Sequence, residues 1–232
     1  MYFTSKLEQA VLICRYKRFL ADVRLTDGST LTIHCPNSGS MRSCSEPGSL
    51  VYFSQSGNPK RKYPHTLEMI LAGATWVGIN TSRTNTIVAE AILNKEIAEI
   101  IEFDELKREV KTSEGSRLDI MLTAGAHKTY IEVKNCSLVD DGYALFPDAI
   151  TARGTKHLNE LIRLVKDGHT GIIFYLIQRL DADRFRPAAD IDPLYAETLR
   201  TAANQGVLVI AYQAAVTPES INVVKRVPVI LD

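Results

Sequence analysis

RLDIMLTAGAHKTYIEVK, residues 117–134, has the pattern of two strands joined by a turn at Gly125-Ala126. Such a turn requires a positive φ at its first residue, which glycine adopts without strain. The register that follows places Asp119 opposite Glu132 and Arg117 opposite Lys134. Alternation then assigns the apolar residues of both strands to the other face. They are Leu118, Ile120, Ile131 and Val133.

The ionisable face of this hairpin suggests a metal site. Two carboxylates directly opposite each other, Asp119 and Glu132, repel and destabilise a hairpin, and a Mg²⁺ or Mn²⁺ ion between them would remove that penalty. Lys134 follows Glu132 by two residues and points to the same face, where it could position a water or stabilise charge on a phosphate. The structural alternative is a surface ion cluster in which Arg117 and Lys134 neutralise the two acids.

Predicted helices flank the hairpin on both sides. The first is capped by Asn85 or Thr86 and runs through Ile101, with Glu90 at the edge of its apolar stripe. Glu90 is therefore a candidate third metal ligand, although a satisfied core glutamate competes with that interpretation. The second helix, Thr151 to Lys166, carries a polar stripe at helical spacing that suits either a phosphodiester backbone or solvent. The stripe consists of Arg153, Lys156, His157 and Glu160.

Residues 81–232 have an α/β pattern. Gly171 to Gln178 and Val207 to Tyr212 are apolar runs typical of buried strands, and Pro193 to Asn204 has the pattern of a helix. Pro228 in the tail from Ile221 to Ile230 favours an edge strand. We expect a mixed sheet covered by helices.

Residues 1–80 instead contain five or so short strands punctuated by Gly and Pro, which predicts a small all-β, OB-like barrel or a sandwich. Two basic-aromatic clusters interrupt them, at residues 15–19 and 60–63. Basic residues interleaved with aromatic ones suit nucleic-acid binding, and solvated loop charge is the alternative. The candidate nucleic-acid contacts are Arg15, Lys17, Arg18, Lys60, Arg61 and Lys62, together with Arg153, Lys156 and His157 of the second helix. The loop from His34 to Met41 could present backbone N–H groups to phosphate or be a plain turn.

Composition agrees with a globular protein that has an anionic partner. The 232 residues include 27 Lys and Arg against 27 Asp and Glu, but residues 1–84 hold ten basic and five acidic groups. No apolar run is long enough to span a bilayer and the start lacks the pattern of a signal peptide, so we expect a cytoplasmic protein. The four cysteines form no C-x-x-C pair and are expected to be buried or free thiols.

The helix, the D…E-x-K hairpin and the second helix together resemble the PD-(D/E)XK nuclease core. The amino-acid sequence as a whole resembles the sugar fermentation stimulation (SfsA) family over nearly its whole length. The resemblance is carried by residues 15–19, 34–41, 78–81, 116–119, 130–136, 146–149 and 153–158. It implies an OB-like domain, a restriction-endonuclease-like domain and DNA binding in a prokaryotic protein linked to sugar-utilisation genes. By this resemblance Asp119, Glu132 and Lys134 match the nuclease signature, although Arg117-Leu118 precedes Asp119 and the proline of that signature is absent.

The sequence therefore predicts a DNA-binding protein with an Mg²⁺- or Mn²⁺-dependent phosphodiesterase (nuclease) site. Asp119, Glu132 and Lys134 would be catalytic, and Asp119, Glu132 and Glu90 would hold the metal. The alternative is a non-catalytic DNA-binding transcriptional regulator of sugar (maltose-type) metabolism genes on a nuclease-like fold. RNA or a small phosphorylated compound is a third candidate substrate. We expect no membrane partner and no small-molecule cofactor, and the residues leave single-stranded and duplex DNA open.

Overall fold

The computed structural model describes residues 1–100 and 102–231, and its first part is a closed β-barrel. Its strands follow the order β3-β2-β1-β4-β5-β6, and a pairing between His34 of β3 and Thr66 of β5 closes the barrel. The interior is a separate apolar cluster that includes Phe53 and Leu67. This confirms the predicted OB-like barrel. The strands are β1 (Glu8–Tyr16), β2 (Leu20–Arg24), β3 (Thr30–His34), β4 (Leu50–Gln55), β5 (His65–Ala72) and β6 (Thr75–Gly78).

The second part is an α/β domain with a mixed six-stranded sheet, as predicted. A short 3-10 helix, Thr81–Arg83, leads into it. The sheet order is β15-β14-β12-β9-β8-β7; β9, β12 and β14 are parallel and the outer pairs are antiparallel. A separate three-stranded sheet has the order β10-β11-β13. The elements are α1 (Thr84–Leu93), β7 (Glu105–Ser113), β8 (Ser116–Ala124), β9 (His127–Cys136), β10 (Leu138–Asp140), β11 (Tyr143–Phe146), α2 (Ala152–Lys166), β12 (Thr170–Ile177), β13 (Arg184–Pro187), α3 (Pro193–Asn204), β14 (Leu208–Val216) and β15 (Ile221–Val227).

The six-stranded sheet is buried on both faces. One face packs under α1, and residues Ile131 and Val133 of β9 belong to that cluster. The other face packs under α2 and α3. Leu118 was predicted to share the face of Ile120, but it packs on the α2 side instead, because β8 pairs with β9 only from Ile120 onward and the alternation breaks before that residue.

Helix α1 is shorter than predicted. It ends at Leu93, and Lys95 adopts a left-handed conformation with φ of 61°, which a continuing helix does not allow. Ile97 is still buried in the same core, so its apolar character reflects packing of the following segment rather than helix. The predicted end of this helix, Ile101, lies outside the described residues.

The other two helices have local sequence signals that match their observed ends. The Thr151 hydroxyl accepts a hydrogen bond from the Gly154 amide, so Thr151 caps α2 rather than starting it. Asp192 caps α3, which begins at Pro193 as predicted. The tail forms β15 at the edge of the sheet, and Pro228 follows its last residue. Among the described residues no helix has both the length and the apolar character needed to cross a bilayer, and the four cysteines are free.

Several contacts join the two parts of the molecule. The Gly78 amide donates to the Gln178 carbonyl at 2.9 Å, and a Cβ on Gly78 would overlap the Gln178 side chain. Leu7 and Met69 also pack in the apolar cluster under α1. The first residues continue onto the second part, where the Phe3 amide donates to the Glu219 carbonyl at 3.0 Å. The barrel and the α/β domain therefore share buried apolar surface.

Candidate active site

The central hairpin has the predicted register over the part that is paired. Five pairs run from Ile120 opposite Ile131 to Ala124 opposite His127, and Gly125 in the turn has φ of 57°. Beyond Ile120 the strands separate. There the Asp119 carboxylate accepts a hydrogen bond from the Val133 amide at 2.7 Å. The strands β8 and β9 therefore separate at Asp119 and Glu132, the two acids that were predicted to face each other.

Asp119 is held from both sides by neutral donors. The Val133 amide donates to Oδ2, and the Asn85 side chain on the first turn of α1 donates to Oδ1 at 2.8 Å. Burial and the negative charge of Glu132 raise the pKa of Asp119 to about 6. The carboxyl group therefore changes charge near pH 6, and a cation that bound it would displace its proton.

Glu132 is 2% exposed and its two carboxylate oxygens have different environments. Oε1 accepts from the Lys134 ammonium at 2.5 Å and from Nδ1 of His157. Burial raises the pKa of Glu132, but the hydrogen bond from His157 and the nearby Lys134 outweigh it, so the pKa is lowered overall. Oε2 is buried and has no partner among the described residues. A buried charged oxygen without a partner is costly, and it can accept a hydrogen bond or bind a cation.

His157 has a different place from the one predicted. The sequence put it on a polar surface stripe that contacts nucleic acid, but the residue is 4% exposed and binds Glu132. Its other ring nitrogen, Nε2, accepts from Arg153 at 3.4 Å, which fits a neutral imidazole that donates through Nδ1. His157 therefore orients Glu132 from α2.

Glu90 does not join this cluster. Its carboxylate pairs with the N-terminal ammonium group at 2.9 Å and is partly exposed. The side chain that α1 brings to the cluster is Asn85 instead, because it lies on the first turn of the helix and Glu90 more than a turn later. No group of three or more His, Cys, Asp or Glu residues within the described part of the chain is arranged to hold a metal.

Two carboxylates nevertheless suffice for one kind of cation. Mg²⁺ is commonly held by one or two protein carboxylates and keeps the rest of its shell for water and substrate phosphate. Asp119 and Glu132 supply those carboxylates, and Glu132 Oε2 has no hydrogen-bond partner among the described residues. The residues present therefore fit a hard divalent cation.

A basic groove lies beside the cluster. The groove, of about 690 Å³, runs between the β7–β8 hairpin and α2, and none of the described residues that line it is acidic. The four exposed cations in its wall are Lys111, Arg117, Arg153 and Lys156. Sequence reasoning found Arg153 and Lys156 but missed Lys111, because the polar strand β7 gave no strand signal.

Of the basic residues in the barrel that were predicted to contact nucleic acid, Arg15 binds the protein's own backbone, and the others lie on a hairpin tip and a loop. Nη2 of Arg15 donates to the carbonyl oxygens of Arg18, Asn37 and Gly39, each at 2.8 Å, so Arg15 fastens two loops together rather than presenting a free cation. Lys17 and Arg18 form the β1–β2 hairpin tip with left-handed φ values of 51° and 64°. Lys60, Arg61 and Lys62 lie on the loop between β4 and β5, where Lys60 and Lys62 are exposed.

Comparisons with known proteins agree with this architecture. The family model described as "SfsA N-terminal OB domain" matches residues 13–79, and the model "Sugar fermentation stimulation protein RE domain" matches residues 82–220. A solved structure of SfsA from Pyrococcus furiosus, described as in complex with Ca²⁺, superposes with a TM-score of 0.89 at 24% identity and covers 99% of this chain and 98% of that one. At this identity the likeness shows the fold alone.

Three curated relatives, each named "Sugar fermentation stimulation protein homolog", are similar over nearly their whole length. The Desulfotalea psychrophila protein is 56% identical over 100% of this chain and 96% of its own. The Pelobacter propionicus protein is 51% identical over 95% of this chain and 96% of its own, and the Geobacter sulfurreducens protein 47% over 99% of both. The chain belongs to the sugar fermentation stimulation protein (SfsA) family.

Proposed function

We propose that this protein binds DNA and hydrolyses its phosphodiester bonds with a divalent cation, Mg²⁺ or Mn²⁺, held by Asp119 and Glu132. The observation that carries the proposal is the Oε2 atom of Glu132, a buried carboxylate oxygen with no partner among the described residues. A second, half-buried carboxyl group, that of Asp119, lies nearby, and burial together with the charge of Glu132 raises its pKa. A cation between them would favour the ionised form of both groups.

The bound cation would stabilise charge on a phosphate and lower the pKa of a bound water. Lys134 is the group that faces the substrate. Its ammonium lies 2.5 Å from Glu132 Oε1 and its side chain is 13% exposed, so it reaches the two acids without being freely solvated. It would orient the attacking water and stabilise negative charge on the phosphate. His157 and Asn85 keep the two carboxylates in place.

Two further observations support a nucleic-acid substrate and a hard cation. Four exposed cations line a groove that contains no acidic residue among those described, although the protein has no net charge. Such a groove suits the phosphates of a nucleic-acid backbone. The related Pyrococcus furiosus protein is described as a Ca²⁺ complex, and Ca²⁺, like Mg²⁺, is held by oxygen ligands.

The test is cleavage of end-labelled single-stranded and duplex DNA with Mg²⁺, Mn²⁺ or EDTA. We expect products from the wild type only when a metal is present, and a loss of at least about a hundredfold in rate for Lys134→Ala. Lys128→Ala, a change of the same residue type on the same strand, is the matched control and should cleave like the wild type. Metal-independent products, or full activity of Lys134→Ala, would contradict the proposal.

A second candidate function is DNA binding without turnover, in a regulator of sugar (maltose-type) metabolism genes. The observation in its favour is that Lys134 and His157 already occupy Glu132 Oε1, and that no cluster of three metal-binding side chains occurs in the described ranges. The same assay separates the two. A protein that shifts DNA in a gel but gives no product with any metal is a binding protein on a nuclease fold.

A further inference from the structure

A second cleft lies where the barrel meets the α/β domain. Its volume is about 370 Å³, within the ~300–1,000 Å³ range of small-molecule sites. Arg18, Asn37 and Ser38 line it from the barrel, and Asn135, Asp148 and Ile150 from the second domain. We call it the interdomain cleft.

The interdomain cleft and the basic groove adjoin at the N-terminal end of α2. Thr151 lines the cleft, while Ala152 and Arg153 line the groove. Lys134 is linked to both by its neighbours: Asn135, the next residue of β9, lines the cleft, and Glu132, which binds Lys134, also binds His157 of the groove. Because consecutive residues of the chain line both cavities, a nucleic-acid strand in the groove would have the entrance of the cleft next to it.

The chemistry of the cleft differs from that of the groove. Its lining contains one basic residue, Arg18, and one acidic residue, Asp148, and the other lining residues are uncharged. The Asp148 carboxylate disfavours a phosphate in the cleft, which leaves the phosphates to Arg18 at its rim and to the groove. A neutral group that carries hydrogen-bond acceptors and a flat apolar surface fits the cleft better.

Two amide side chains and one apolar side chain would recognise such a group. Asn37 is 4% exposed, and its Nδ2 has no acceptor among the described residues, while its Oδ1 binds the Gly39 amide at 2.9 Å. Asn135 repeats this pattern, because Gln178 occupies its Oδ1 and Nδ2 has no acceptor in residues 1–100 and 102–231. Ile150 is 82% exposed at the rim, where an apolar side chain without a partner can pack on a ring.

The barrel wall of the cleft is rigid before any ligand binds. Arg15 holds the carbonyl oxygens of Asn37 and Gly39, and Asp148 accepts from the Met41 amide at 3.3 Å. A Cβ on Gly39 would overlap the Asp148 carboxylate, so a larger residue there would displace this side chain. A site held in its binding conformation loses little freedom when a ligand enters.

We propose that the interdomain cleft binds one unpaired nucleobase of a DNA strand whose phosphates follow the basic groove, and that the substrate is therefore single-stranded or locally unpaired DNA. The proposal rests on the proposed function because it takes DNA as the ligand. A base in a duplex would first have to unstack and break its base pair. This costs free energy, and the cost is smaller for a base in a single strand.

The test is a binding measurement on the full-length protein in EDTA, so that it does not depend on cleavage. Fluorescence anisotropy compares a labelled 12-nucleotide single strand with a duplex of the same sequence, for wild type, Ile150→Glu and the control Val224→Glu. Val224 is an exposed apolar residue on the edge strand β15. A series of strands, each with 2-aminopurine at one position, reports which base loses its stacking neighbours.

We expect the wild type to bind the single strand at least about tenfold more tightly than the duplex. Ile150→Glu should weaken single-strand binding about fivefold or more, and Val224→Glu should not. One 2-aminopurine position should brighten, and the change should be lost in Ile150→Glu. Tighter binding of the duplex, an equal effect of both variants, or no position-dependent signal would overturn the proposal. Preserved single-strand selectivity in a protein that never cleaves would refute the nuclease alone.

Discussion

Replacement of Asp119 by asparagine should stabilise this protein at neutral pH and, by the proposed function, remove metal-dependent cleavage. The pKa of Asp119 rises from its ordinary 3.8 to about 6 in the fold, through burial and the charge of Glu132. At about 1.4 kcal/mol per pKa unit this shift costs the folded state up to about 3 kcal/mol once the group is ionised. Asparagine has nearly the same shape and no charge.

The hydrogen bonds of Asp119 should survive the change. The new amide oxygen would accept from the Val133 amide, and its NH₂ group would donate to the side-chain oxygen of Asn85 after that amide turns over. We therefore expect Asp119→Asn to raise the free energy of unfolding by about 1–3 kcal/mol near pH 7.5 in EDTA.

The pH dependence gives the sign of the effect. Below about pH 4 Asp119 is protonated in both the folded and the unfolded chain, so the wild type has its full stability there and the variant gains nothing. As the pH rises from about 4 to about 6, the unfolded chain loses this proton and the folded chain keeps it, so the wild type loses stability relative to the variant; the difference levels off above about pH 7. Urea unfolding of both proteins at a series of pH values measures this difference.

A control and a metal titration sharpen the experiment. Glu114→Gln removes an exposed carboxylate from the β7–β8 turn and should show no such pH-dependent gain. Added Mg²⁺ or Mn²⁺ should stabilise the wild type by binding only its folded state, and should leave Asp119→Asn nearly unchanged. An Asp119→Asn protein that is less stable than wild type at pH 7.5, or a difference that does not vary with pH, would refute the reasoning.

Three other predictions follow from buried or clustered charges and from close backbone packing. Arg83→Met leaves the fully buried Glu68 without the cation that binds it at 2.6 Å, and should lower the free energy of unfolding by about 3 kcal/mol in urea titrations. Lys156→Gln removes one cation of the basic groove and should reduce the slope of log affinity for duplex DNA against log salt by about 0.9, whereas Lys166→Gln at the far end of α2 should not. Gly78→Ala should cost about 1–3 kcal/mol by calorimetry, because the added methyl group has no space at the domain junction.

Local signals in the sequence were sufficient for the hairpin and for two of the helices. The Gly125-Ala126 turn fixes the register because only one pairing gives both strands a consistent apolar face. Thr151 and Pro193 mark helix starts because their side chains satisfy or avoid the unpaired amides of a first turn. These features depend on neighbours within a few residues, and such neighbours are visible in a sequence.

Features that depend on residues far apart in the chain could not be predicted from local sequence patterns. His157 has the spacing of a surface stripe, and only the approach of β9 to α2 turns it toward Glu132. Glu90 has the position of a ligand on its own helix, but the chain's first residue reaches its carboxylate from outside the helix. Strand β7 is polar along most of its length because it is an edge strand. Its sequence therefore lacks the apolar alternation from which a strand is predicted.

The first seven residues have a consequence for the order in which the protein forms during synthesis. Tyr2 and Phe3 pair with Ser220 and Glu219, and Leu7 packs in the cluster under α1. At ~5–20 residues per second, the ribosome makes those partners roughly 10–40 s after the segment that needs them. Strands β1 to β6 can pair in the meantime, since the strands that they pair with all lie within residues 8–78. The barrel can thus form before the first seven residues have their partners. Those residues bind only once β14 and β15 have been made, because their partners lie in the turn between these two strands.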